Sequence, residues 1–277
     1  MIKKLIFLDI DGTLIHAMKA PSGLATEAVR RARLNGYKVF LCTGRNTAII
    51  GEDIRKIGFD GMIASAGAYV EAEKKVLFDQ ILAEETIQEC LAVFHANGIY
   101  CRIESPEGIY TDPQMEALLK EAEPDRTNSE LIRMQREIEA GIPILPYDRY
   151  PGNGAYKICF TGTSLQSIEN TQKVLGDRFI YAVHPYADSS TCLNGEIIPK
   201  GIDKGRGMEM ICRYYGIDLK DTFAFGDSMN DREMMRAAGI SIAMGNACEE
   251  LKRMADRICG NAWEDGVYYE FRSLGFI

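Results

Sequence analysis

The sequence predicts an α/β fold: a doubly wound parallel sheet interrupted by an inserted α+β domain. Three observations lead there. Short apolar runs rich in β-branched and aromatic residues alternate with helical patterns through about the first 80 residues. The same alternation resumes near residue 198, and the stretch between the two blocks has a different rhythm. At 277 residues the chain is long for one domain and short for three, which suits a core carrying an insert.

The first block reads as strand "KLIFLD", helix "TEAVRRARLNG", strand "YKVFLCT", helix "AIIGEDIRKIG" and strand "GMIASAG". Gly36 closes the first helix where a left-handed residue is wanted. Runs as uniformly apolar as "VFLC" belong to strands covered by helices on both faces, hence to a parallel sheet. The closing block repeats the scheme: "DKGRGMEMICRYYGI", "NDREMMRAAG" and "NACEELKRMA" read as helices, and "TFAFGD", "ISIAM" and "RICG" as strands.

One sheet from residues 1–82 and 198–277, with an insert over 83–197, is therefore the expected organisation. Within the insert, helices are expected at "EETIQECLAVFHANG", "MEALLKEAE", "SELIRMQREIEAG" and "LQSIENTQKVLG". Strands are expected at "IYCRIE", "AYKICFTG" and "FIYAVHPY". The acidic first part of the insert reads as a solvated helical face.

Composition narrows the function classes. Hydrophobic residues make up 46% and charged residues 26%, an ordinary globular balance. The net charge of −8 with scattered Lys and Arg argues against a nucleic-acid partner. No apolar stretch approaches the roughly 18 residues of a membrane span. The opening "MIKKLIFL" breaks at Asp9, short of the ~7–15 apolar residues of a signal peptide. Eight dispersed cysteines without a CxxC pair read as small hydrophobes of a cytoplasmic protein.

Four short stretches carry chemistry. In "LIFLDIDGTL" an apolar strand ends in Asp9 and Asp11, which period-2 geometry puts on one side, and Gly12 lets the chain turn after them. Both carboxylates would stand at the carboxyl edge of a parallel sheet, where open α/β folds bind ligands. A calcium loop is excluded, because the glycine comes two positions early and a third oxygen ligand is missing. In "FLCTGR" the strand ends in Thr43, Gly44 and Arg45, a hydroxyl, a flexible N–H and a guanidinium that suit a phosphate or carboxylate. In "FAFGDSMNDREMM" another strand delivers Asp227, Asn230 and Asp231, an oxygen-rich corner for a hard metal. Lys204, in "IPKGIDKGRG", opens a helix between the second and last of these strand ends.

Together "DIDGTL", "TGR", the "KG" of Lys204 and "GDSMND" resemble the haloacid dehalogenase superfamily of phosphotransferases, specifically its Cof-type branch with a class IIB cap. The likeness extends into "IAMGNACEELKRMAD" and "WEDGV" and covers both terminal blocks, which implies a Rossmann-like core; the middle matches as a cap by position. It implies that Asp9 is the nucleophile that takes the phosphoryl group. Asp11 is then the general acid that protonates the leaving alcohol and later the base that deprotonates water.

The resemblance also implies a Mg²⁺ held by the side chains of Asp9 and Asp227 and the backbone carbonyl of Asp11. Thr43, the backbone around Gly44, Lys204 and Asn230 would hold phosphate oxygens, and Asp231 would orient the others as a positioning residue. Hydrolysis of a phosphate monoester can require acceleration of up to ~10²¹-fold, on the order of 28 kcal/mol. General acid catalysis supplies about 10²–10⁴ of it, so charge neutralisation must carry most of the rest.

The expected activity is Mg²⁺-dependent hydrolysis of small phosphorylated metabolites, with sugar phosphates foremost, by a monomer or weak homo-oligomer. A phosphomutase of the phosphomannomutase type and a catalytically silent regulatory binder are the alternatives. The chain departs from the Cof pattern at "IASAGAYV", where Ala66 stands in place of the usual Asn. Tyr147, Arg149 and Tyr150 of "LPYDRYPGNGAY" can face a sugar or form a plain surface loop. His16 is expected in a surface or capping role and Trp263 in packing.

Overall fold

The structure, a computed structural model, describes residues 4–16, 19–115, 117, 137, 142–162, 164–184 and 193–277. It divides into two compact units, Met1–Asp79 with Ile202–Ile277, and Gln80–Gly201. Along the chain the first unit begins with β1 (Leu5–Leu8), α1 (Gly23–Leu34), β2 (Lys38–Cys42), α2 (Glu52–Arg55), β3 (Gly61–Ala64), β4 (Tyr69–Ala72) and β5 (Lys75–Asp79). The inserted unit holds α3 (Glu84–Ala96), β6 (Tyr100–Ser105), β7 (Gly108–Thr111), β8 (Ile144–Pro146), β9 (Lys157–Gly162), α4 (Leu165–Leu175), β10 (Phe179–His184) and β11 (Leu193–Pro199). The first unit then resumes with α5 (Lys204–Tyr215), β12 (Thr222–Gly226), α6 (Arg232–Ala237), β13 (Ile240–Ala243), α7 (Glu249–Met254), β14 (Arg257–Ile258) and α8 (Gly266–Ser273).

The first unit is built on one eight-stranded sheet in the order β14-β13-β12-β1-β2-β3-β4-β5. From β14 to β3 the pairing is parallel, as the apolar runs require: β1 and β12 are buried at every residue. At one edge this parallel sheet is extended by β4 and β5, which pair antiparallel. Their hairpin turns at Glu73 and Lys74, both with positive φ (51° and 65°), without the Asn-Gly or Asp-Gly that announces such a turn. The helix expected over "AIIGEDIRKIG" is also broken up. A 3₁₀ turn at Thr47–Ile49, capped by the Asn46 side chain, is followed across Gly51 by the single turn of α2.

The inserted unit is a six-stranded sheet in the order β10-β11-β9-β6-β7-β8, antiparallel except between β7 and β8. Register gives its two faces opposite characters. Cys101, Ile103, Ile158, Phe160 and Ile197 share an apolar core with residues of α3 and α4. Arg102, Glu104, Lys157 and Glu196 lie together on the other face and are all buried. Lys157 Nζ is 2.5 Å from Glu196 and 3.7 Å from Glu104, and Arg102 pairs with Glu137. Strands β7, β8 and β11 were not anticipated; in β11 the polar Asn194 and Glu196 are buried with this layer, so the pattern reads as a loop.

The expected helices "MEALLKEAE" and "SELIRMQREIEAG" lie outside the described residues apart from isolated positions. Among the described residues no helix is long and apolar enough to cross a membrane, and the cysteines are free.

Candidate active site

Parallel register sets the foundation. Leu8 pairs with Leu41 on one side and Phe225 on the other, so the chain leaves three adjacent strands at nearly one level. The next residues outward are Asp9 after β1, Thr43 after β2 and Asp227 after β12. The Asp9 N–H still donates to the Phe225 carbonyl at 3.0 Å, which fixes its direction at the edge.

Lys204 joins them from the first turn of α5. Asp203 caps that helix, its side chain accepting from the Arg206 N–H at 2.8 Å. Gly205 allows the helix start to sit close to α6, since a Cβ there would lie 2.6 Å from the Glu233 carbonyl oxygen. Lys204 is 1% exposed, and its ammonium reaches Asp9 Oδ1 at 2.8 Å and Asp231 Oδ1 at 2.6 Å. The other oxygen of Asp231 accepts from the Asp227 and Ser228 N–H groups at 3.0 and 3.2 Å. Asp231 thereby holds the turn that presents Asp227.

Carboxylate oxygens of Asp9, Asp227 and Asp231 lie within 4.8 Å of one another. One lysine cannot balance three acids. Burial, opposed by Lys204 and reinforced by Asp231 and Asp11, pushes Asp9 up to about 7. Burial, then Asp231 and Asp9, raises Asp227 well above the ordinary carboxylate range. Burial works against the Lys204 charge, yet Asp231 and Asp9 hold its pKa well above the usual lysine value. Hard oxygen donors in negative excess fit Mg²⁺ or a similar cation, whose charge would relieve that excess.

Gly12 follows the acids with φ +79°, and a Cβ there would sit 2.1 Å from Asp227 Oδ2. Asn246 braces the same turn, donating from Nδ2 to the Gly12 carbonyl at 2.8 Å while its Oδ1 accepts from the Ala262 N–H. Sequence reading passed over Asn246, because nothing in "GNA" beyond a turn signal announces a bridge between distant loops.

Arg45, expected to suit a phosphate or carboxylate, forks onto Asp11: Nε and Nη2 each donate to one carboxylate oxygen at 2.7 Å. A buried guanidinium is most favourable against the nearest planar anion, and Asp11 is that anion, its side chain 27% exposed. Both Asp11 carboxylate oxygens are thus engaged by Arg45; the expected metal contact of Asp11 concerns the backbone carbonyl, a different atom. Thr43 is buried and its hydroxyl accepts from the Arg45 N–H at 3.0 Å. Gly44 lies against Asn230, where a Cβ would stand 3.7 Å from Nδ2, and Asn230 Oδ1 accepts from the Ser228 hydroxyl.

The turn bearing Ala66 proves structurally tied to the site. Ser65 N–H donates to the Arg45 carbonyl at 2.8 Å and Ala66 N–H to the Thr43 carbonyl at 3.0 Å. Ala66 has φ 55° and ψ 24°, a left-handed conformation that asparagine adopts more readily than alanine. Gly67 abuts Asp203, so this turn spans from the Thr43 loop to the start of α5. Away from it, His16 packs its ring 4.7 Å from that of Trp263, which stays 54% exposed. Tyr147 and Tyr150 pack against the inserted unit's core, and their hydroxyls contact Gln88 and Gly154.

A family model described as haloacid dehalogenase-like hydrolase matches residues 6–271. The 5-amino-6-(5-phospho-D-ribitylamino)uracil phosphatase YwtE of Bacillus subtilis (strain 168) is 26% identical over 278 residues, 96% of each chain. Phosphatase YwpJ of the same organism is 26% identical over 290 residues, 98% of this chain and 99% of its own. A solved subclass IIB sugar phosphatase, BT4131, superposes with a TM-score of 0.75 over 99% of this chain and 100% of its own. At 24% identity that likeness is one of fold.

Proposed function

The chain belongs to the haloacid dehalogenase-like hydrolases and is a phosphatase of the Cof type, and from that premise we propose a Mg²⁺-dependent route through an aspartyl phosphate on Asp9. The observation that carries this reading is the convergence of Asp9, Asp227 and Asp231 at the strand ends, with Lys204 bonded to Asp9 and Asp231. Asp9, Asp227 and the Asp11 carbonyl would hold the ion. When bound, it supplies the positive charge that lets an anionic nucleophile meet a phosphate dianion.

The chain's own residues do the rest. An Asp9 oxygen attacks phosphorus, the bond from phosphorus to the ester oxygen breaks, and Asp11 delivers a proton to the departing alcohol. Water then attacks the phosphorus of the acyl phosphate, Asp11 takes its proton, and inorganic phosphate leaves with Asp9 restored. Lys204 offsets the growing charge on the transferred oxygens, with Thr43, the Gly44 backbone and Asn230 as further donors. Arg45 acts by holding Asp11, and Asp231 by holding Lys204 and the Asp227 turn.

Small phosphomonoesters of polyhydroxylated compounds are the substrate class, with sugar phosphates first among them. The ribityl phosphate in the name of the uracil phosphatase is of that chemistry. A rapid-quench experiment with p-nitrophenyl phosphate tests the route. That leaving group needs little protonation, so Asp11→Asn should give a burst of nitrophenol near one per site and a phosphoryl group on Asp9 by mass spectrometry. Neither burst nor labelled Asp9 in that variant, or normal turnover by Asp9→Asn, would sink it.

A further inference from the structure

The inserted unit carries a second convergence of ligand-type side chains, unrelated to the acids of the core. His95 stands on the last turn of α3, Cys101 is the second residue of β6 and Asp112 directly follows β7. One donor atom from each lies within 4.8 Å of the other two. His95 Nε2 is 2.7 Å from Asp112 Oδ2, and that same oxygen accepts the Cys101 backbone N–H at 2.8 Å. The carboxylate is therefore fixed by main chain, the Cys101 side chain is buried in the core of the unit, and the imidazole, 43% exposed, faces water.

We propose that His95, Cys101 and Asp112 form a binding site for a borderline divalent cation of the zinc type, with its fourth position open to water beside His95. The donor set makes the selection. A sulfur, an imidazole nitrogen and one carboxylate oxygen suit Zn²⁺ or Co²⁺, whereas Mg²⁺ and Ca²⁺ take oxygen ligands, so this site and the core acids call for different ions.

A plain ion pair between His95 and Asp112 accounts for two of the three groups. It leaves the thiol unused: among the described residues no hydrogen bond engages the Cys101 sulfur. Burial and then the charge of Asp112 push the Cys101 thiol well up, so without metal the sulfur keeps its proton. A cation must displace that proton, and its affinity rises with pH. Bound metal would pin the end of α3 to the hairpin of β6 and β7, a staple in the inserted unit rather than a part of the chemistry.

Cobalt titration of the full-length protein tests this, because cobalt bound by oxygens alone gives no thiolate-to-metal charge-transfer band. The expected result is such a band with intense visible absorption of four-coordinate Co²⁺, displaced by Zn²⁺ and lost in both Cys101→Ser and His95→Ala. His95 is exposed, so its variant folds and controls for damage from the buried substitution. Zn²⁺ should also raise the melting temperature of the parent and leave His95→Ala unmoved. Absence of the band in the parent overturns the site. So does a band that survives in Cys101→Ser, which would report another sulfur such as the exposed Cys248, or a Zn²⁺-induced rise equal in parent and His95→Ala.

Discussion

Replacing Gly12 with alanine separates what the fold needs from what the site needs. The new methyl would fall 2.1 Å from Asp227 Oδ2 and 2.5 Å from its Cγ, where ordinary contact begins at 3.4 Å. The carboxylate must retreat by about 1.3 Å, the difference between those limits. It is the free end of a side chain and can rotate away, so the fold loses only the strain of a left-handed alanine, about 1–2 kcal/mol. The chemistry loses more: displacing a positioned group by ~1 Å costs about 10²-fold, equivalent to roughly 2.7 kcal/mol. Urea denaturation would read the first quantity. Initial rates with p-nitrophenyl phosphate across a Mg²⁺ titration would read the second, with kcat/KM down roughly 10²-fold and half-activation at higher Mg²⁺. A folded variant with unchanged rate and unchanged Mg²⁺ requirement would refute the placement of Asp227 at the metal. Complete unfolding would refute the claim that its carboxylate is free to turn.

Two further outcomes follow from the charges. Asp9 is lifted to about 7 from an ordinary ~3.9, so across that window the native metal-free protein holds a proton that the unfolded chain releases, and stability falls as pH rises. The melting-temperature gain from saturating Mg²⁺ should therefore grow between about pH 5 and pH 8; an equal gain at both ends contradicts it. Asp60 presents the opposite case: although burial opposes its charge, the Arg33 fork at 2.8 and 3.0 Å, the Val39 N–H and Lys38 lower its pKa. Asp60→Ala should cost about 2–3 kcal/mol at pH 7 by urea denaturation, since Arg33 and Lys38 can relax into water. That deficit should shrink as pH falls below about 4 toward the depressed native pKa, and a deficit constant down to about pH 2.5 would show that charge is not its cause.

Most of the site was legible because parallel strands end in a predictable place. Asp9, Thr43 and Asp227 each follow an apolar run directly, and a reader who recognises the runs as neighbours in one sheet has already brought the three together. Lys204 was legible only through family order, since a lysine at a helix start usually faces solvent and this one is buried between two acids. The partnership of Arg45 with Asp11 was not legible. Both an incoming phosphate and an existing carboxylate satisfy a guanidinium, and only coordinates say which is nearer. In the inserted unit the strands with clear apolar alternation were legible, whereas β11 was not: its sheet buries charge on one face, and Asn194 and Glu196 look solvated in sequence until Glu196 meets Lys157.

Lys204 and Asp9 touch across a separation of 195 residues, and β1 requires β12 as well as β2 for its two edges. Translation at about 5–20 residues per second places the synthesis of one after the other on the order of 10–40 s apart. Throughout that interval the strand that leads to Asp9 presents an open row of backbone donors and acceptors on one edge, the feature by which nascent chains pair with the wrong neighbour. The inserted unit, whose sheet draws every strand from its own contiguous stretch, has no such wait. A ribosome that stalls just past the insert thus leaves a finished inserted domain tethered to a half-built core, in which Asp9 is present while Lys204, Asp227 and Asp231 are still unmade.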